Sequence, residues 1–301
     1  MNVTIFSRGP GLYSTQRLVE AATERGHDAR VVDHAFCSPA LHGEASGLLY
    51  AGKPLDRPDT AIPRIGANIT QRGASIIRQL DVMGVPSTIS ANGLLLARDK
   101  MSCLQVLARH GVPVPRTTLC FTVAEVRRVG RAFGRYPLVV KLLESTHGVG
   151  VALARTPYQL ERIAEGFLQI QDQVIVQEFI EESDGRDVRA LVVGGRVVAA
   201  MERKAAADEF RANMHRGATA RAFKLSDAEI ELALKAARTV GVEVAGVDLI
   251  PSDRGPLLME VNASPGLEGI ETTTEVDIAG AIVEYAVKKL FILDHPRNPQ
   301  P

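Results

Sequence analysis

Cysteine is scarce and unpatterned: Cys37, Cys103 and Cys120 are odd in number, far apart and in no CxxC arrangement. A disulfide framework and a zinc knuckle are therefore excluded, and buried thiols in a reducing compartment are expected. Net charge is also missing, because 35 Lys plus Arg balance 35 Asp plus Glu. A chain-wide attraction to nucleic acid or to an anionic membrane is thus not expected, and any anion site must be local. No apolar run approaches the roughly 18 residues of a membrane span, and no signal-peptide core follows Met1, so the expected location is the cytoplasm. His27, His34, His42, His110 and His147 have no metal-ligand spacing, and Ser7, Ser14 and Ser264 lack a nucleophile-elbow context. The first strand runs into Ser7-Arg8-Gly9-Pro10-Gly11 instead of GxGxxG, which speaks against a dinucleotide-dependent oxidoreductase.

What is present is a chain of 301 residues, 46% hydrophobic and 23% charged, enough for two ordinary domains and incompatible with disorder or a coiled coil. A strand at Val3–Phe6, a helix at Tyr13–Arg25 and a strand at Ala29–Asp33 form a strand-helix-strand unit. A strand at 61–65, a helix at 69–83 and a short strand before Ser90 continue it, so residues 1–95 read as an α/β domain with a mostly parallel sheet. Asp99 suits the cap of a helix at 100–110, and Gly111-Val112-Pro113-Val114-Pro115 ends it as a connector over 96–113. In the second half Thr122-Val123-Ala124-Glu125 and Ser226 to Glu229 read as capping boxes, and Thr156-Pro157 opens a further helix. Apolar strands are expected at 138–143, 151–154 and 174–177. Gly194-Gly195 suits a hairpin turn between 187–193 and 196–201. The 293–301 tail, rich in proline, reads as flexible.

Chemistry concentrates at Gly246-Val247-Asp248-Leu249-Ile250 and Leu257-Leu258-Met259-Glu260-Val261-Asn262. Folding these strands back about Arg254 puts Asp248 opposite Glu260 and Ile250 opposite Leu258. Asp248, Glu260 and Asn262 then share one sheet face, while Val247, Leu249, Met259 and Val261 face apolar packing. An oxygen-only set of this kind suits Mg²⁺ or Mn²⁺; an exposed polar face with ordinary charges is the other reading. Lys141 interrupts an apolar strand, as a phosphate ligand or as an edge-strand gatekeeper. Ser145 to Val151 with Gly148 and Gly150 follows it and leads into a strand, which fits neither a Walker loop nor a dinucleotide turn. Together with Lys141 it reads as a phosphate flap. Gln177-Glu178-Phe179-Ile180 suits an adenine edge held through backbone groups, or a plain strand end with a core phenylalanine. Arg203, Lys204, Arg211, His215, Arg216 and Arg221 concentrate positive charge, as phosphate or carboxylate ligands or as a solvated loop.

The order glycine loop, lysine strand, Glu178-Phe179-Ile180, Asp187, basic loop, Asp248 and Glu260-Val261-Asn262 resembles the ATP-grasp superfamily of carboxylate-amine ligases. The resemblance is closer still to its RimK-type α-L-glutamate ligases. It is carried by Ser7-Arg8, Leu12-Tyr13-Ser14, Pro63-Arg64-Ile65-Gly66, Ala97-Arg98-Asp99-Lys100, Val139-Val140-Lys141-Leu142, Phe210-Arg211-Ala212-Asn213, His215-Arg216-Gly217 and Met259 to Ile270. The resemblance implies an α/β chain of the α+β ATP-grasp type: a small parallel-sheet domain, then two α+β lobes over 114–185 and 186–292 that clamp ATP. It implies that Lys100, Lys141, Gly148 and Gly150 hold phosphates, Glu178 and Phe179 the adenine, and Asp187 the ribose. Arg211 and Asn213 would face the nucleotide, Arg203 the transferring phosphoryl group, and Asp248, Glu260 and Asn262 would bind two divalent ions. The implied reaction joins L-glutamate to the C-terminus of a protein or peptide, a small-subunit ribosomal protein, through an acyl phosphate, in a homo-oligomeric cytoplasmic enzyme. Either Asp248→Asn or Glu260→Gln would then abolish ligation and leave the fold intact. A ligase acting on a small metabolite or carrier protein shares every ATP residue and differs on the acceptor side, where Arg8, Tyr13 and Arg64 are the candidates. A regulatory module that binds ATP without catalysis would not need the complete metal set.

Overall fold

The computed structural model describes residues 1–41, 46–143, 150–206 and 217–294. Strand β1 (Asn2–Phe6) is covered on both faces, as a strand inside a parallel sheet must be. It is followed by α1 (Tyr13–Glu24), β2 (Asp28–Val32) and a small antiparallel ribbon of β3 (Cys37–Ala40), β4 (Gly47–Tyr50) and β5 (Lys53–Pro54). Strand β6 (Thr60–Pro63) then returns beside β1, giving a parallel sheet ordered β2-β1-β6. Helices α2 (Thr70–Val82), α3 (Ala91–Arg98) and α4 (Lys100–Arg109) complete this part. Asp99 caps α4 by accepting from Ser102 N at 2.9 Å, as its position suggests. The strand expected before Ser90 is reduced to two bridges, Ser87 to Ala61 and Ile89 to Val242.

A second sheet is antiparallel. It is built from β7 (Thr117–Cys120), β8 (Leu138–Leu142), β9 (Val151–Ala154) and β10 (Val174–Glu178), with α5 (Val123–Phe133) and α6 (Pro157–Leu168) between them in the chain. Its order is β7-β10-β8-β9. Leu138, Val140 and Leu142 alternate toward α5 and α6, where they pack with Val126, Phe133, Leu160 and Ala164. Each fully buried aliphatic side chain of this kind stabilises the layer by ~1.5–3 kcal/mol. Strand β8 lies between β10 and β9, so Lys141 is not an edge-strand gatekeeper. Thr122 accepts from Glu125 N as a cap, but Glu125 Oε2 takes Phe121 N, one residue before the position a reciprocal box requires.

The third part consists of β11 (Arg186–Val193), β12 (Arg196–Lys204), β13 (Thr219–Ala222), α7 (Asp227–Val240), β14 (Val244–Ile250), β15 (Leu257–Asn262), α8 (Glu268–Thr274) and α9 (Ile278–Asp294). Its antiparallel sheet is ordered β13-β12-β11-β14-β15. Gly194 and Gly195 turn β11 into β12 with φ of 55° and 77°, a left-handed pair that L side chains adopt at a penalty. Ser226 and Glu229 cap α7 reciprocally. One face of the sheet, with Ala190, Val192, Val247 and Leu258, packs on α7, α3 and α4. On the opposite face Leu191, Val193 and Met201 meet α9 and the first layer through Ile278, Ile282 and Leu18. Arg64, just after β6, donates to Pro265 O beyond β15, and Lys100, at the start of α4, donates to Leu142 O and Leu143 O at the end of β8, so these edges lie side by side.

Candidate active site

Strands β14 and β15 set the acidic centre. Asp248 pairs with Glu260 and Gly246 with Asn262, as a fold-back about Arg254 requires. Beyond Asp248 the expected register fails: Leu249 faces Leu258 and Ile250 faces Leu257, with a bulge after Asp248. The cause is the turn, in which Gly255 N donates to Ser252 O at 3.0 Å. That bond centres the hairpin between Asp253 and Arg254, and one bulged residue reconciles the two registers. Leu258 therefore enters the core, fully buried, in place of the expected Met259, which is half-buried.

Asp248 is buried, whereas the Glu260 side chain is 47% exposed. Arg189 forms a bidentate pair with Asp248, Nε to Oδ1 at 2.7 Å and Nη2 to Oδ2 at 2.6 Å, and Arg203 Nη2 reaches the same Oδ2 at 3.0 Å. Burial opposes ionisation of Asp248, but the two guanidiniums prevail and hold it well below the usual carboxylate range. Arg203 also clasps Asp187, Nε to Oδ1 at 2.6 Å and Nη2 to Oδ2 at 2.8 Å. Burial pushes Asp187 up to about 6 against the pull of Arg203, with the Asp248 charge adding to the rise. Arg189 was not foreseen from the sequence. It stands directly across from Asp248 on β11 and on the face that carries Asp187, so its cross-strand position was the available signal.

The donor set fits a hard divalent cation. A carboxylate offers about four lone-pair sites; three on Asp248 are met by guanidinium donors, which leaves room for a metal bond. Asn262 Nδ2 donates to Glu260 Oε1 at 3.0 Å, so its amide oxygen is the atom available as a ligand. Among the described residues no group of three or more His, Cys, Asp or Glu side chains could hold a metal, so the amide has to complete the set.

Two lysines meet at the end of β8, Lys141 from that strand and Lys100 from the start of α4. Lys141 Nζ donates to Gln177 Oε1 at 2.7 Å, and Lys100 Nζ donates to Leu143 O at 2.6 Å and Leu142 O at 3.3 Å. Burial first, then the charge of Lys100, push the Lys141 ammonium down to about 8, with Glu260 pulling the other way. Gly150 closes the turn before β9 with φ of 74°, and a Cβ there would lie 2.7 Å from Leu142 Cδ1, so only glycine fits. Gly148, Arg211 and Asn213 lie outside the described residues, as do His42, His147, His215, Arg216 and the 295–301 tail. Within the rest of the basic stretch, Lys204 pairs with Asp184 and Arg221 with Glu202.

Glu178 is positioned differently from the other candidates. Its carboxylate accepts from Arg116 N at 2.8 Å, from Arg135 Nη2 at 2.9 Å and from Arg254 Nη2 at 2.5 Å. These donors together outweigh burial and lower its pKa. The side chain is therefore a clamp between the second sheet and the β14–β15 turn, and what this segment can offer a base is backbone. Phe179 is half-buried beside a cavity of about 200 Å³ lined with Arg135 and Pro137. The thiols of Cys37, Cys103 and Cys120 are buried and free, and burial pushes them up to about 11, 12 and 11.

Residues 97–286 match the RimK-like ATP-grasp domain, and residues 1–94 match the RimK pre-ATP-grasp domain. A protein of Cellvibrio japonicus named "Probable alpha-L-glutamate ligase" is 48% identical over 285 residues, covering 95% of each chain. One of Trichodesmium erythraeum with the same name is 44% identical over 290 residues, covering 96% of this chain and 97% of its own. Among solved structures, a RimK domain ATP-grasp protein from Sphaerobacter thermophilus superimposes with a TM-score of 0.73 at 26% identity, covering 95% of this chain and all of its own. The ATP-grasp ligase PsnB with a minimal precursor gives 0.75 at 21% identity, covering 96% and 98%, a likeness of fold. No helix among the described residues is long and apolar enough to cross a membrane. The chain therefore belongs to the RimK-like ATP-grasp family and is an ATP-dependent ligase of α+β architecture with a pre-ATP-grasp layer in front.

Proposed function

We propose that this ligase adds L-glutamate to the C-terminal carboxylate of a protein or peptide, with a small-subunit ribosomal protein as the physiological acceptor. The observation that carries the reading is the shared face of Asp248, Glu260 and Asn262, with Lys141 close enough to feel the Glu260 charge. The names of the relatives support L-glutamate as the amino acid. The acceptor carboxylate attacks the γ-phosphorus of ATP, the bond to the β,γ-bridging oxygen breaks, and ADP leaves. The amine of L-glutamate then attacks the acyl carbon, phosphate departs, and loss of a proton leaves an amide. Transfer between anions calls for cationic positioning and exclusion of water more than for a covalent nucleophile.

In this reading Lys100, Lys141, Gly148 and Gly150 hold phosphates, the backbone about Glu178 and Phe179 holds adenine, Asp187 the ribose, and Arg211 and Asn213 face the nucleotide. Asp248, Glu260 and Asn262 would hold two Mg²⁺ or Mn²⁺ ions, which would supply charge neutralisation across the phosphates when bound. Arg203 spends Nε and Nη2 on Asp187 and Asp248, and its Nη1 is the donor left for the transferring phosphoryl group. Residues 1–95 serve as the pre-ATP-grasp domain, 96–113 as connector, 114–185 as the lid lobe, 186–292 as the metal lobe and 293–301 as tail. Three free buried thiols fit a cytoplasmic location, and a homo-oligomer is common at this size. The test is phosphate release from ATP with Mg²⁺ and L-glutamate, with and without a peptide ending in glutamate. Release that requires both substrates supports the reading; release indifferent to the peptide, or stimulated only by another amino acid, overturns it.

A further inference from the structure

The cations about Glu260 and the loop after Asn262 fall into two groups. Lys100 and Lys141 are tied to the second sheet, through the Leu142 and Leu143 carbonyls and through Gln177. Arg64 and Arg98 are tied to the first layer and to the loop after Asn262. Arg64 follows β6 at the carboxyl edge of the parallel sheet, where ligands of open α/β sheets bind, and its N–H donates to Phe6 O at 2.8 Å. Its guanidinium donates to Pro265 O, and the next residue fixes the same loop, Ile65 N donating to Ser264 Oγ at 3.2 Å. Arg98 ends α3 two residues before Lys100, and its Nη2 donates to Ile65 O at 2.6 Å.

Both side chains are half-buried, and among the described residues both have backbone carbonyls, not carboxylates, as hydrogen-bond partners. Among the described residues Arg98 Nε is buried with no hydrogen-bond partner. Arg17 and Arg189, also half-buried, are matched with acids, Arg17 with Glu271 and Asp277 and Arg189 with Asp248, while Arg186, half-buried too, donates its Nε to Ser183 O. Burial, and then the charge of Arg98, push the Arg64 guanidinium down to about 10, while Glu260 is the acid whose field supports Arg98. Arg64 has no acid among the charges that act on it and Arg98 has only the exposed Glu260, so the pair carries an excess of positive charge, which is unfavourable in a folded chain unless an anion completes it. A planar fork of N–H donors matches a carboxylate in two parallel hydrogen bonds.

We propose that Arg64 and Arg98 form a receptor for a substrate carboxylate, between the carboxyl edge of the parallel sheet and the Ser264–Pro265 loop. It rests on the proposed ligase reaction and adds to it the group that orients a substrate, while Lys100 and Lys141 serve the nucleotide. The carboxylate belongs either to the incoming amino acid or to the acceptor, and the two sources separate experimentally.

The test uses the full chain and the variants Arg98→Gln, Arg98→Lys, Arg64→Gln and Arg64→Lys, with thermal melting to establish folding. For each, the KM of L-glutamate and of a glutamate-ended peptide is measured, together with the Kd of ADP by calorimetry. Loss of one charged bidentate contact is expected to raise one substrate KM roughly 10- to 100-fold, leaving the ADP Kd unchanged, with part of the loss recovered in the Lys variants. If discrimination between L-glutamate and L-glutamine collapses in Arg98→Gln, the carboxylate is that of the amino acid. If discrimination between peptides ending in glutamate and in glutamine collapses instead, it is that of the acceptor. Folded variants with unchanged KM values, or with a weakened ADP Kd and nothing else, overturn the receptor. Calorimetric binding of L-glutamate and of the peptide to the ADP complex keeps the two readings apart: Arg98-dependent binding without ligation by the native enzyme would retain the receptor and remove the glutamate-ligase reading.

Discussion

Lys141 gives the sharpest quantitative expectation. Its ammonium sits on an interior strand, hydrogen-bonded to an amide oxygen, and burial together with Lys100 holds it near 8. A triphosphate bound beside it would restore the ordinary value, so nucleotide binding takes up a proton. The sign follows: a base with a lower pKa in the free protein than in the complex binds its anion less well as pH rises through the lower value. Between pH 7.5 and 9.5 the affinity for ADP is expected to fall by about twentyfold, or about 1.8 kcal/mol, as the free enzyme loses that proton. The assay is calorimetry with ADP and Mg²⁺ across that range, in two buffers of different ionisation enthalpy so that proton uptake is counted directly. In Lys141→Arg the cation stays charged throughout, and the dependence is expected to flatten even if the absolute affinity is lower. A pH-independent affinity in the native enzyme, or an equal slope in Lys141→Arg, would refute the placement of Lys141 against phosphate.

Three further outcomes are expected. Glu260→Gln should abolish ligation with an unchanged melting temperature, because Glu260 is exposed, whereas Asp248→Asn should also lower Tm by roughly 5–10 °C, since it strips a buried charge from Arg189 and Arg203. Equal melting curves for the two would contradict the buried pairing. Glu178→Gln should destabilise the chain by about 2–3 kcal/mol in urea titration, by weakening the contacts of Arg116, Arg135 and Arg254 at once, and a neutral effect would show that the clamp is idle. Gly150→Ala should lose about 1–2 kcal/mol from the left-handed φ and the contact with Leu142, read by differential scanning calorimetry.

Much of the acidic centre was legible because sheet geometry is periodic: two strands and a turn put Asp248 across from Glu260, and alternation put Asn262 on the same face. The turn hid one residue of slippage, since hydroxyl-assisted turns such as Ser252–Gly255 choose their own centre and the ladder must then bulge. The ribbon from β3 to β5 was illegible for another reason. Its strands are two to four residues long and include Pro39 and Pro54, so neither periodicity nor propensity marks them. The partners of buried charges were the least visible. Arg189, Arg135 and Arg254 come from elements far apart in the chain, and only the folded sheet decides which guanidinium meets which acid. Arg64, an acceptor-side candidate in the sequence, and Arg98, beside Lys100 in its motif, are 34 positions apart, and only the fold brings the two guanidiniums together.

Mass spectrometry of a glutamate-ended peptide after incubation with enzyme, ATP, Mg²⁺ and L-glutamate reads out the proposed joining of L-glutamate to a carboxylate at the expense of ATP. Mass gains of one or more glutamyl residues at the peptide's C-terminus are expected, and none with Glu260→Gln. A peptide of unchanged mass, while ATP is consumed under the same conditions, would contradict the proposed joining.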